Sequence, residues 1–168
     1  MPLTADLGIS AGTYQTRTLD LTTSEDRLSF RRGVHLTSGT GAGKADRVFH
    51  DQRTLAASAT EDLDLAGVLL DAFGAAATFA KVKGLFISAA ATNVNNVVIG
   101  AGTAPWVTLL NSTGTITLRP GASFGAMAGV ADATAYAVTA TTGDILKVTN
   151  SGAGTSVVYD IVIVGTSA

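Results

Sequence analysis

The apolar residues of this chain come in short runs rich in Val, Ile and Thr, broken by Gly, Asn and Pro-Gly, and no long amphipathic helical period appears. A strand sends alternate side chains to opposite faces, so even a short alternating run can bury one face. A helix needs apolar residues three and four apart over a longer stretch. The pattern predicts an all-β chain. Val48–Leu55 (VFHDQRTL) reads as a strand, and Asp62–Leu65 (DLDL) sets both leucines on one face and both aspartates on the solvent face. Val68–Phe73 (VLLDAF) fits either one helical turn or a strand. Lys81–Ser88 (KVKGLFIS) alternates and then turns apolar, entering the core from an edge. Asn96–Ile99 (NVVI) and Trp106–Leu110 (WVTLL) are short apolar runs between Gly-rich turns, and Thr115–Leu118 (TITL) is stopped by Pro120-Gly121.

The C-terminal segment carries the plainest signal. Tyr136–Thr139 (YAVT) leads through Thr142-Gly143-Asp144 to Ile145–Thr149 (ILKVT). A polar, Gly-containing stretch, Asn150–Gly154, then precedes Ser156–Val164 (SVVYDIVIV). Two β-branched runs around such a turn predict a hairpin. In the last run Val157, Tyr159, Ile161 and Ile163 share one face, and Val158, Asp160, Val162 and Val164 the other. Both faces are largely apolar, which predicts a central strand covered on both sides. About eight short strands at this spacing suit a β-sandwich, a jelly roll or a small barrel. The absence of a fixed-period repeat argues against a solenoid or propeller.

The 168 residues suit one core domain with an appendage. Charge divides the chain: residues 1–53 hold seven of the eleven Lys+Arg and six of the thirteen Asp+Glu, near +1, and the remainder is near −3. The first third has little apolar periodicity. It contains Arg17–Leu21 (RTLDL) and Arg27–Phe30 (RLSF) as short β-like pieces, then a loop, Thr37–Lys44 (TSGTGAGK). Residues 1–46 read as an extended N-terminal arm that buries too little to order itself, with residues 47–168 as an antiparallel β-sandwich or jelly-roll domain. The competing reading gives these pieces to the first strands of the main domain.

Charged residues make up only 14% of the chain, against a usual share of about 25%. So uncharged a surface predicts partial coverage by partners. The formal net charge of −2 and sequence pI near 5.5 give no basic face for nucleic acid. With no Cys, disulfides, thiolate metal sites and Cys nucleophiles are excluded. The start, MPLTADLGIS, does not read as a signal peptide, and no run reaches the length of a membrane helix.

Sites of chemistry fail on spacing. Gly39–Ala45 (GTGAGKA) imitates a phosphate-binding loop, but it has three residues rather than four between Gly39 and Gly43, and Ala45 stands where a hydroxyl residue is needed. Glu61, Asp62 and Asp64 form the only acidic cluster and read as a solvated strand face rather than a cation site. His35 and His50 lack metal-ligand spacing, and His50 and Asp51, as neighbours in a strand, point apart. Asn111-Ser112-Thr113 matches a glycosylation acceptor and reads as a turn. Trp106 reads as core rather than as an interface anchor. The chain is therefore expected to be non-enzymatic, with no catalytic, cofactor-binding or metal-binding residues. Arg17, Arg27, Arg31 and Arg32 are the candidates for contacting a partner's acidic groups.

FHDQRTLAASATEDLDLAG (Phe49–Gly67), LLDAFG (Leu69–Gly74), KVKGLFISAA (Lys81–Ala90), NNVVIG (Asn95–Gly100) and TGDILKVTNSGAGTSVVYDIVIVG (Thr142–Gly165) together resemble small virion proteins of tailed bacteriophages. Among these the chain is most similar to the capsid decoration, or cement, proteins. The resemblance spans roughly residues 49–168; residues 1–48 carry no part of it. It implies a compact β-domain on the capsid exterior, assembled in the bacterial cytoplasm and seated where capsid subunits meet. There it would hold the shell against internal pressure. The partners implied are the major capsid protein and further copies of the chain, with neither nucleic acid nor membrane. A head fibre, spike or tail protein contacting the host, or a carbohydrate-binding β-sandwich module, are the alternatives; scarce aromatics argue against the last.

Overall fold

The computed structural model describes residues 2–67 and 69–168, and within them the chain is all-β: twelve strands in three sheets, with no helix. The first sheet holds β1 (Ala5–Thr18), β2 (Thr23–Ser38) and the short β3 (Lys44–Ala45). The second runs β4 (Arg47–Leu55), β12 (Val157–Thr166), β6 (Lys81–Ala89), with β9 (Ser123–Met127) and β10 (Tyr136–Ala137) both on the free edge of β6. The third runs β5 (Thr60–Asp64), β11 (Ile145–Asn150), β7 (Val97–Gly100), β8 (Thr115–Leu118). Every ladder in the second and third sheets is antiparallel.

These two sheets share one core rather than closing into a barrel. Phe49, Leu85, Ile87, Tyr159, Ile161 and Ile163 from one sheet pack with Leu63, Val97, Ile99, Leu118, Leu146 and Val148 from the other. Each fully buried Leu, Ile, Val or Phe contributes about 1.5–3 kcal/mol of transfer free energy. The alternation predicted for Asp62–Leu65 and Thr115–Leu118 places Leu63, Leu65 and Leu118 in that core. Trp106 is buried too, its Nε1 donating to the Ala137 carbonyl at 2.8 Å, with Tyr136 packed edge-on against the indole.

Three expectations are corrected. First, β11 and β12 do not form a hairpin: β11 pairs with β5 and β7, and β12 with β4 and β6, so residues 151–156 carry the chain from one sheet to the other. The buried Asn150 fixes that crossing. Its amide donates to Ala56 O at 2.9 Å and Thr155 O at 2.8 Å, and its Oδ1 accepts from Gly152 N. Asn95 adds bonds to the Gly152 and Thr155 carbonyls. Second, β12 is central but not covered on both faces. Val164 is buried, whereas Asp160 is exposed and Val162 is 37% exposed, because only the base of the β1–β2 pair reaches that outer face.

Third, Arg17–Leu21 is not a strand piece. Arg17 and Thr18 end β1, and Leu19–Thr22 is the turn, closed by Leu19 N donating to Thr22 O at 2.7 Å. The short apolar run Trp106–Leu110 enters no strand; after Trp106 the chain turns. In the Val68–Phe73 segment Leu70 makes only an isolated bridge to Ala76, and Val68 lies outside the described residues. β9 (SFGAM) was not expected. Its Gly125 lies across from Phe86, whose ring would be 2.8 Å from a Cβ there, so a strand made largely of small residues serves as the floor for an aromatic.

Candidate functional site

β1 and β2 pair over their full length, from Ala5↔Leu36 to Thr18↔Thr23, as one long antiparallel ribbon. Its base packs on the outer face of the second sheet. Leu7, Val34, Leu36 and Ala45 bury Val164 there, with Phe86 and Met127 alongside. Gly84 makes the seat, since a Cβ at that position would lie 2.6 Å from Leu7 Cδ1. Beyond the seat the ribbon leaves the body: every residue from Gly8 to Gly33 is exposed.

Alternation gives the ribbon two unlike faces. The face that seats Leu7, Val34 and Leu36 continues outward through the rows Ile9/Arg32, Ala11/Phe30, Thr13/Leu28, Gln15/Asp26 and Arg17/Ser24. Ile9, Phe30 and Leu28 remain 45%, 42% and 55% exposed along it. The opposite face is polar and internally paired. Tyr14 donates to Glu25 at 2.8 Å, Arg27 binds Glu25 at 3.1 Å and lies 4.4 Å from the centre of the Tyr14 ring, and His35 meets Asp6 at 2.7 Å. The Glu25 hydrogen bond raises the Tyr14 pKa. At the tip, Leu21 is 99% exposed.

The four candidate arginines all lie on this ribbon but are not brought together. Arg27 and Arg31 sit on the polar face, and Arg27 is occupied by Glu25. Arg17 and Arg32 sit on the apolar face, with Arg32 lying 4.6 Å from the Phe30 ring centre. The apolar stripe escaped the sequence reading; its signal was the alternation of Ile9, Ala11 and Thr13 matched by Leu28 and Phe30.

Elsewhere the polar groups hold structure. Asp62 is exposed and Asp64 accepts from Ala66 N in a turn, while Glu61 shares the core-facing side of β5 with Leu63. Glu61 accepts a short hydrogen bond from the buried Tyr159 hydroxyl and pairs with Arg53 at 2.7 Å; Arg53 also meets Asp51 at 3.3 Å. Burial, and then the Glu61 carboxylate, push the Tyr159 pKa far up, so the phenol stays a donor that ties the two sheets together. Lys83, also buried, donates to Asp132 O at 2.6 Å and anchors the loop after β9; desolvation lowers its pKa. Asp132 accepts from Ala135 N and Thr134 N, which lowers its own pKa.

His50 and Asp51 point to opposite faces of β4, and Asn111 closes an Asx turn by accepting from Thr113 N at 3.1 Å. The Gly39–Gly43 loop carries two positive-φ glycines and folds against the Lys44 side chain. Among the described residues no three His, Asp or Glu side chains gather as metal ligands. The enclosed pocket between the sheets, lined by Leu85, Ile99, Trp106 and Leu146, has a cavity volume of about 10 Å³, room for roughly one water.

Comparison with known proteins returns no matching family model, no matching curated protein and no matching solved structure.

Proposed function

We propose that this protein is a non-enzymatic virion component that decorates the capsid of a tailed bacteriophage, seated on the shell exterior where capsid subunits meet. One observation carries the reading: a well-filled β body projects a ribbon whose outward apolar stripe has no cover among the described residues. A lone two-stranded ribbon is marginal in water, and a contiguous exposed apolar face marks an interaction surface. The stripe suits attachment to protein, and the low charge of the body suits crowding among neighbours.

We also read the body as a jelly-roll β-sandwich. Counting from β4 and taking β10 with β9, one sheet runs first, eighth, third, sixth and the other second, seventh, fourth, fifth. That is the order made by folding one long antiparallel pair over on itself, the arrangement of many capsid domains. Because that fold also serves lectins and cupins, the functional reading rests on the ribbon and on the likeness of residues 49–168 to decoration proteins rather than on topology. Repeated over a shell, a modest free energy per contact becomes a large mechanical reinforcement.

Co-sedimentation tests the proposal. The purified protein should pellet with capsid shells of its phage, saturate at a fixed ratio to the major capsid protein, and raise the temperature at which shells rupture. Protein that stays in the supernatant at low salt, or shells that rupture unchanged when saturated, would refute it.

A further inference from the structure

We infer that the ribbon is covered by the ribbon of a second copy, the two apolar faces packing antiparallel about a two-fold axis. The inference deepens the assembly reading above and rests on it; what it adds is the partner and the register.

The argument comes from the order of rows on the apolar face. From base to tip these are Ile9/Arg32, Ala11/Phe30, Thr13/Leu28 and Gln15/Asp26. The middle two rows are apolar or small. The row nearest the body carries a cation, and the row nearest the tip an anion. A two-fold axis across the ribbon, midway between the Ala11/Phe30 and Thr13/Leu28 rows, lays each β2 over its counterpart in the reverse direction. Phe30 then meets the partner copy's Leu28, and Arg32 meets its Asp26, each contact occurring twice. Both ionic groups are available. Among the described residues Asp26 enters no ion pair, and Arg32 donates only to the Arg31 carbonyl beside it. Ionic pairs flanking an apolar centre fix register as well as attraction.

The parallel alternative fails on charge and on space. It would set Arg32 opposite Ile9, leave Asp26 opposite Gln15, and force both bodies to the same end of the pair, where each already covers its own Leu7 and Val34. The antiparallel arrangement puts the bodies at opposite ends, and only the tip of each ribbon, from the Arg17/Ser24 row outward, reaches the other body, where it must pass beside the seat that already covers Leu7 and Val34. It also brings the Arg17 end of one ribbon to an open groove of about 430 Å³ on the other copy, between Ile9 and the outer sheet face at Phe86, Gly125, Asp160 and Val162. That groove offers Arg17 an exposed carboxylate, Asp160, and offers the apolar tip a place to lie.

The test is a charge exchange on the full-length protein, read by sedimentation velocity at low salt. The wild-type chain should sediment as a dimer at micromolar concentration. Arg32→Asp and Asp26→Arg should each shift it to monomer, because each sets like charges face to face, and the double exchange should restore the dimer. Melting followed by circular dichroism should stay cooperative in all three, since both side chains are exposed in the single chain. A monomeric wild type, single exchanges that leave the dimer intact, or a double exchange that stays monomeric would each overturn the inference. Shell co-sedimentation of the same samples separates the two readings. A monomer that still pellets with shells overturns the self-pairing alone; a dimer that ignores shells overturns the shell reading alone.

Discussion

The body and the ribbon are built from the same element, the antiparallel strand, and solve opposite problems. In the body Val157, Tyr159, Ile161 and Ile163 of β12 are at most 1% exposed, each meeting side chains from the facing sheet. In the ribbon the same alternation yields Ile9, Leu28 and Phe30, all more than 40% exposed. Cross-strand pairing runs the length of the strands in both. Only the body adds a second layer, and the second layer supplies most of the stability of a sheet. The ribbon carries the ordering of a strand pair without the burial that stabilises the body. The comparison thus divides the molecule into a part that buries its apolar face and a part that leaves its apolar face exposed.

Substitutions in the two regions should separate in size. The largest effect is expected at the centre of the body. Ile161→Asp sets an unpaired carboxylate in the core, a cost of several kcal/mol comparable to the roughly 5–15 kcal/mol that holds a domain together; thermal scans should show no cooperative melt. Asn150→Ala should come next. It strips the crossing between β11 and β12 of its donors to the part-buried carbonyls of Ala56 and Thr155. A loss of about 1–3 kcal/mol in urea unfolding is expected.

At the junction of the regions, Gly84→Val should unseat Leu7. The predicted signature is local: hydrogen exchange accelerates in β1 and β2 while β6 and β12 stay protected. Uniform loss of protection would mean that the ribbon and body are one cooperative unit. Smallest of all, Leu28→Ser on the ribbon should change unfolding free energy by no more than about 0.5 kcal/mol while weakening association.

A pH titration sharpens the picture of the body. The Tyr159 pKa is raised on folding, so the native state holds that proton more tightly than the unfolded chain. The stabilisation is complete below the ordinary tyrosine range, about 10, and is lost progressively as the pH climbs above it toward the folded value. Tyr159→Phe should flatten the alkaline limb of stability against pH. An unchanged limb would show that folding does not raise the Tyr159 pKa, against its burial and its contact with Glu61.

The sequence revealed strands more readily than partners. β5, β6, β8, β11 and β12 were legible because their alternation or β-branching answers to burial, the strongest local signal. β9 was hidden because its packing asks for absence of bulk: Gly125 is there to lie beneath Phe86. The link between β11 and β12 was misread because a short Gly-containing stretch can either reverse a chain within a sheet or carry it between sheets. The choice is made by Asn150 reaching carbonyls at Ala56, far away in sequence. The arm was read as separate β-like pieces because polar strands exposed on both faces carry weak periodicity. Only the register shows that Leu28 and Phe30 extend the row of Val34 and Leu36. Candidate arginines could be named from composition, but which face each occupies required the pairing.

The most direct test of the division shortens the ribbon without touching its seat. Residues 11–30 are replaced by a two-residue Asn-Gly turn, a sequence suited to tight hairpins, so that Leu7, Val34 and Leu36 still cover Val164. The shortened protein is then compared with the full chain by thermal melting and sedimentation velocity. The account predicts a cooperative melt close to that of the full chain and a species that no longer self-associates. An unfolded product, or a folded one that associates as strongly as the full chain, would contradict it.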